Sequence, residues 1–142
     1  MDEALLEAKK ALLKDEVPVG AIIVKDQKII ARAHNLTKSL KDATAHAEVL
    51  VIKEACQILK TPYLEGCWLY VTLEPCCMCA GAISLSRVQK LYYGAYDPKG
   101  GAIDHGPHFF NQNTCHHVPE VISGVKEFQC FKLLKDFFNQ KR

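Results

Sequence analysis

Thr72-Leu73-Glu74-Pro75-Cys76-Cys77-Met78-Cys79-Ala80-Gly81 is the stretch that decides the architecture. The β-prone run Trp68-Leu69-Tyr70-Val71 leads into it, and the small-residue helical run Ala80 to Leu85 leads out. A strand that turns directly into a helix is the first half of a β-α-β unit. Lys90 to Gly94 reads as its second strand, which implies a parallel pair with a right-handed crossover. Pro75 sits where the helix would begin, at a position whose missing N–H would be unpaired anyway. Cys76 and Cys79 then share one face of the first turn. The partial positive charge of a helix N-terminus lowers thiol pKa, and the thiolate is the form that binds metal. Two thiols are an incomplete zinc site, since zinc takes four donors.

Working outward, 142 residues fit a single domain spanning 1–142, able to bury roughly 68–70% of its unfolded surface. The composition, 49% hydrophobic and 24% charged, is that of an ordinary globular chain. No apolar run approaches the ~18 residues of a membrane span, and Met1-Asp2-Glu3-Ala4 lacks the basic-then-apolar pattern of a signal peptide. Seven cysteines without such a signal point to a reducing compartment, the cytoplasm, where cysteine clusters are metallic or catalytic more often than disulfide-bonded. A net charge of +2 permits a nucleic-acid partner without arguing for one.

In chain order, residues 2–15 read as a helix with Leu5, Ala8 and Leu12 on its inner face. Ala21 to Val24 and Ile29 to His34 flank the polar turn Lys25-Asp26-Gln27-Lys28, a hairpin pattern. Thr44 is placed to N-cap a helix whose apolar face is Val49, Ile52, Cys56 and Leu59, ended by Thr61-Pro62. Residues 97–119 are irregular, and a loop that long tends to be functional. A short strand at 120–123 precedes a last helix, about 126–140, where Phe128, Phe131, Leu134 and Phe138 recur at core spacing.

The missing metal donor lies upstream. His46 opens the second helix, and sites on open α/β sheets gather at strand carboxyl ends, where the following helices begin. His46, Cys76 and Cys79 supply three ligands and leave a position for water, the arrangement of catalytic zinc. Zinc lowers the pKa of that water from 15.7 to about 7, and Glu48 stands two residues past the ligand to take its proton. That combination implies hydrolysis. The bland alternative, a structural zinc knuckle, requires a further close Cys or His pair, which neither Cys56 nor Cys67 provides.

His-x-Glu followed by Pro-Cys-x-x-Cys is the signature of zinc-dependent nucleobase deaminases. Beyond that motif, Glu16 to Ala21, Asn35, Thr44 to Glu48, Leu69 to Ala82, Gly94 to Asp97 with Lys99, and Leu133 to Phe138 closely resemble the bacterial tRNA-specific adenosine deaminase family. The resemblance implies a cytidine-deaminase-like α/β fold, a three-layer α/β/α sandwich around a five-stranded mixed sheet, and a homodimer. It implies one Zn2+ per chain on His46, Cys76 and Cys79, with Glu48 as the catalytic proton shuttle. The implied reaction is hydrolytic deamination of adenosine to inosine at the wobble position of a tRNA anticodon stem-loop. Asn35 matches a residue contacting the flipped nucleoside, Asp97 an acidic residue near the ribose, and Val19 and Leu73 pocket walls. Phe137 and Phe138 match a terminal helix near the anticodon loop. A free-base or nucleoside deaminase for guanine or cytosine would share the metal motif and differ in the pocket.

Other readings are plainer. Gly101-Ala102-Ile103-Asp104-His105-Gly106 departs from the common family pattern, as does His116 beside His117. Both histidines fit RNA contacts or loop polar groups equally. Asp97 before Pro98 reads as a turn initiator on local grounds. Cys77 reads as a packed small residue, and the remaining cysteines as core or surface thiols.

Overall fold

In the computed structural model, which describes residues 1–142, the strand-turn-helix of residues 68–85 lies at the centre of a mixed sheet. The elements are α1 (Asp2–Leu13), β1 (Gly20–Lys25), β2 (Lys28–His34), α2 (Ala47–Leu59), β3 (Trp68–Leu73), α3 (Cys77–Leu85), β4 (Lys90–Ala95), β5 (Glu120–Ile122) and α4 (Glu127–Gln140). A single 3-10 turn, Phe109–Asn111, interrupts the long loop before β5. The strand order is β2-β1-β3-β4-β5. β1 runs antiparallel to both β2 and β3, while β3, β4 and β5 are parallel. This is the expected five-stranded mixed sheet with helices on both faces.

Register explains the core. Ala21 pairs with Val71 and Ile23 with Leu69; those in turn pair with Tyr93 and Leu91. Paired residues share a face, and these six pack against Val51 and Ala55 of α2 and Ile83 of α3 in one buried cluster. Each large aliphatic side chain taken fully from water contributes about 1.5–3 kcal/mol. The opposite face is arranged for close approach. Gly20 lies against the backbone of Ala4 and Ala8, and Gly94 against Cys130 and the carbonyl of Thr72, with no room for a Cβ at either position. Those two glycines let α1 and α4 lie directly on the sheet.

The sheet ends on short or guarded strands. β2, on one edge, exposes Lys28 and Arg32, and its pairing with β1 shifts register between Ile23 and Val24. β5, on the other, is three residues long.

Several helix expectations need correction. The buried stripe of α1 is Ala4, Glu7, Ala8 and Ala11; of the expected face Ala8 is buried, while Leu5 and Leu12 are half-buried, because it is Ala4 and Ala8 that sit directly on Gly20. α2 buries Val51, Ile52 and Ala55, while Val49, Cys56 and Leu59 are only half-buried. Its N-cap is His46, whereas Thr44 donates to Asp42 Oδ1 at 2.7 Å in the preceding turn. Pro75 stands one residue before the α3 N-cap, Cys76, and so ends the strand rather than starting the helix. In α4 the inward residues are Cys130, Leu134 and Phe137; Phe128, Phe131 and Phe138 are each at least half exposed. The phenylalanine spacing is helical, but its face is offset from the sheet. Cys77 is exposed rather than packed.

Candidate metal centre

Two helix N-termini meet at the carboxyl end of β3. His46 caps α2 and Cys76 caps α3, both in extended backbone conformation (φ −78°, ψ 150° and φ −74°, ψ 176°). Neither side chain makes a capping hydrogen bond to its own helix. Here the two side chains turn toward each other, and Cys79 rises from the first turn of α3 to join them. The ligating atoms of His46, Cys76 and Cys79 all lie within 4.8 Å of one another. His46 Nδ1 is 3.6 Å from Cys76 Sγ and 3.5 Å from Cys79 Sγ. A tetrahedral zinc with ordinary Zn–S and Zn–N lengths needs N···S edges of about 3.5–3.6 Å, and both N···S edges here match it.

The electrostatics suit a candidate metal centre. Hydrogen bonding from Cys79, with His46 alongside, pulls the Cys76 thiol down to about 4. That shared proton and burial push the Cys79 thiol far up. Two neighbouring thiols, within 4.8 Å of each other, divide one proton between them unless a cation replaces it. Glu48, only 4% exposed on the first turn of α2, is pushed up to about 7 by burial, with the charge on Cys76 adding to the effect. A carboxyl held near neutrality can both accept and donate a proton at physiological pH.

Asn35 follows β2 and is buried. Its Oδ1 accepts the N–H of Ala47 at 2.8 Å, and its own N–H donates to the Val19 carbonyl at 3.1 Å. The Ala47 donor requires the amide oxygen to face the helix. Val19 is buried in the core cluster, and Leu73, half-buried, closes the end of β3. Asp97 forms a turn in which Oδ1 accepts from the N–H groups of Lys99 (3.1 Å) and Gly100 (3.0 Å). The turn-initiator reading therefore describes its contacts. His117 is a structural residue: its Nε2 lies 2.7 Å from the Val88 carbonyl, and its own carbonyl accepts from Ser84 Oγ. His116 is exposed.

Two buried carboxylates escaped the sequence reading as loop anchors. Glu74 receives the N–H groups of Asp97, Ile103, Asp104 and His105 and contacts the ring of His105. Glu16 receives the N–H groups of Lys38 and Ser39 and the hydroxyls of Thr37 and Ser39. Burial alone would raise both pKa values, but the donated hydrogen bonds outweigh it and hold both carboxyls below the usual range. A charged residue at the end of an apolar strand, as Glu74 is, was the available signal.

Comparison with known proteins agrees with this geometry. The model of the MafB19-like deaminase family matches residues 1–142. The tRNA-specific adenosine deaminase of Agrobacterium fabrum is 54% identical over 142 residues, covering 100% of this chain and 93% of that protein. The chain belongs to the tRNA-specific adenosine deaminase family. The family member from Bacillus subtilis is 53% identical, over 100% of this chain and 88% of its own length. A solved structure from work on A-to-I editing by tRNA:A34 deaminases at the wobble position of transfer RNA superposes with a TM-score of 0.93. It is 54% identical and spans 94% of this chain and 97% of its own.

Proposed function

We propose that this chain deaminates adenosine to inosine at the wobble position of a tRNA anticodon, releasing ammonia. The observation that carries the reading is the buried carboxyl of Glu48 beside the His46, Cys76 and Cys79 triad. A structural metal site has no use for such a group. His46, Cys76 and Cys79 would hold one zinc ion per chain, which when bound supplies an activated water at neutral pH. Glu48 takes a proton from the water that adds to C6 of adenine and delivers it to the ring nitrogen N1. It then takes the proton of the new C6 hydroxyl and passes it to the departing amine, so that the C6=O bond forms, the C6–N bond breaks and ammonia leaves.

The pocket is assigned with the same logic. Asn35, held by Ala47, offers its amide nitrogen to the flipped nucleoside, and Val19 and Leu73 form apolar walls around the base. Asp97 accepts a hydrogen bond from the ribose 2′-OH, the group that distinguishes RNA from DNA. The partner is the anticodon stem-loop, reached in the cytoplasm, a compartment suited to a chain with seven free thiols. Met78 and Leu85 on α3, with Ile58 on α2, leave apolar surface exposed, which supports a homodimer.

The experiment is incubation with a tRNA carrying adenosine at the wobble position, reading inosine by sequencing. Inosine there, with one zinc per chain by elemental analysis, is the expected result. Deamination of free guanine or cytosine without inosine in tRNA would favour a free-base deaminase instead.

A further inference from the structure

The loop of residues 97–105 has no regular secondary structure, yet it is fastened at nearly every step to the residues just before the ligand Cys76. Glu74 Oε2 gathers three consecutive backbone donors, Ile103 at 3.1 Å, Asp104 at 2.9 Å and His105 at 3.1 Å. Its Oε1 takes the N–H of Asp97 at 3.0 Å and faces His105 Nδ1 at 2.8 Å. The next residue adds another tie, since Pro75 O accepts the N–H of Ala102 at 2.9 Å. Gly101 lies against the carboxylate so closely that a Cβ would strike it. Successive N–H groups turned inward form a concave anion nest, here filled by the protein's own carboxylate.

We propose that Glu74 is a positioning residue that fixes the 97–105 loop to the metal-ligand turn and thereby sets where Asp97 stands relative to the substrate ribose. The inference rests on the RNA adenosine deaminase reading above. Its physical basis is that Glu74 is covalently two residues from a ligand and hydrogen-bonded to the backbone of Asp97. One side chain thus transmits the position of the reacting centre to the sugar contact. An error of one ångström in such a contact is enough to cost rate or binding.

Glutamine at position 74 separates this role from general support of the loop. The amide oxygen can keep the three-donor nest, which forces the NH2 toward Asp97 N–H, a donor facing a donor. The ring of His105 can adjust by changing tautomer, so the specific loss is the Asp97 bond.

The test measures kcat and KM for the parent, Glu74→Gln, Asp97→Ala and the double variant. Two anticodon stem-loops serve as substrates, one with adenosine and one with 2′-deoxyadenosine at the target position, and metal content is measured throughout. Glu74→Gln should retain one metal per chain and raise KM for the ribose substrate by about tenfold, the worth of one charge-assisted hydrogen bond. It should also shrink the ribose-to-deoxyribose ratio of kcat/KM. In the Asp97→Ala background the same substitution should leave that ratio unchanged, the signature of two residues acting through one contact. An unchanged ratio in Glu74→Gln, or additive effects in the double variant, overturns the proposal. Should Glu74→Gln fail to fold, Gly101→Ala disturbs the same contact from the loop side and should move the ratio in the same direction; no movement overturns the proposal equally. A parent inactive on both substrates overturns the underlying reading, and the proposal with it.

Discussion

Asn35 caps a helix from outside it: its side-chain oxygen accepts the N–H of Ala47, twelve residues on, at 2.8 Å. The residue before Ala47 is His46, the proposed ligand, whose side chain makes no capping hydrogen bond. The helix proposed to offer the metal a histidine therefore borrows its cap from the strand end proposed to offer the substrate an amide. Asn35→Ala should leave a buried N–H unpaired at a cost of about 1–2 kcal/mol. The same substitution should lower turnover, because it loosens His46 and removes the amide proposed to meet the substrate. Thermal unfolding and inosine formation, measured in parallel, would show stability and activity falling as a pair; loss of neither removes the cap from this account.

Glu48→Gln keeps the shape and polarity of the buried side chain and removes its ability to carry a proton. Metal content should remain at one ion per chain. Turnover should fall by roughly 10²–10⁴, the usual worth of a positioned acid–base group. Elemental analysis and single-turnover deamination of a stem-loop decide the matter, and a variant that deaminates at the parent's rate removes Glu48 from the role.

Glu16 makes stability depend on acidity. Its carboxyl is fully buried and titrates below the ordinary value of 4.5, because the hydrogen bonds from Ser39, Lys38 and Thr37 outweigh the effect of burial. A carboxyl depressed in the folded state stabilises the fold at any pH above its unfolded value. That contribution is lost as pH falls through the folded value. Glu16→Gln should cost about 1.5–3 kcal/mol at neutral pH. The difference from the parent should narrow below pH 4.5. Denaturant unfolding at pH 7 and pH 4 gives the comparison, and a gap that widens in acid would contradict it.

Gly94→Ala places a methyl group against Cys130 and the Thr72 carbonyl. With backbone on one side and the docked helix on the other, α4 must lift from the sheet. Overpacking of this kind costs about 1–3 kcal/mol. A melting temperature lowered by several degrees is expected, and an unchanged one would mean that α4 is not held by this contact.

The sequence makes some of this legible and hides the rest for identifiable reasons. The β3-to-α3 turn is readable because an apolar run, a proline and paired thiols each have few structural meanings. The triad of His46, Cys76 and Cys79 is readable because those side chains are scarce and their chemistry narrow. The inner faces of α1 and α4 are only partly legible because hydrophobicity ranks Leu12 and Phe131 above Ala4 and Cys130, the residues seated directly on Gly20 and Gly94. Glu74 and Glu16 are hidden for a different reason. Their partners are mostly backbone N–H groups 22 to 31 residues away, and every residue but proline carries that donor.

The edges of the sheet bear on how copies of this chain can associate. An unprotected edge strand invites a neighbour to add its own strand and continue the ladder. Here one edge is three residues long, and the other is irregular in register and lined with Lys28 and Arg32, the latter tied to Glu3 of α1. Growth of the sheet from chain to chain is thereby disfavoured. Self-association is left to the helical faces, so two copies can meet without either sheet changing the pairing that holds β3, and with it Cys76, in place.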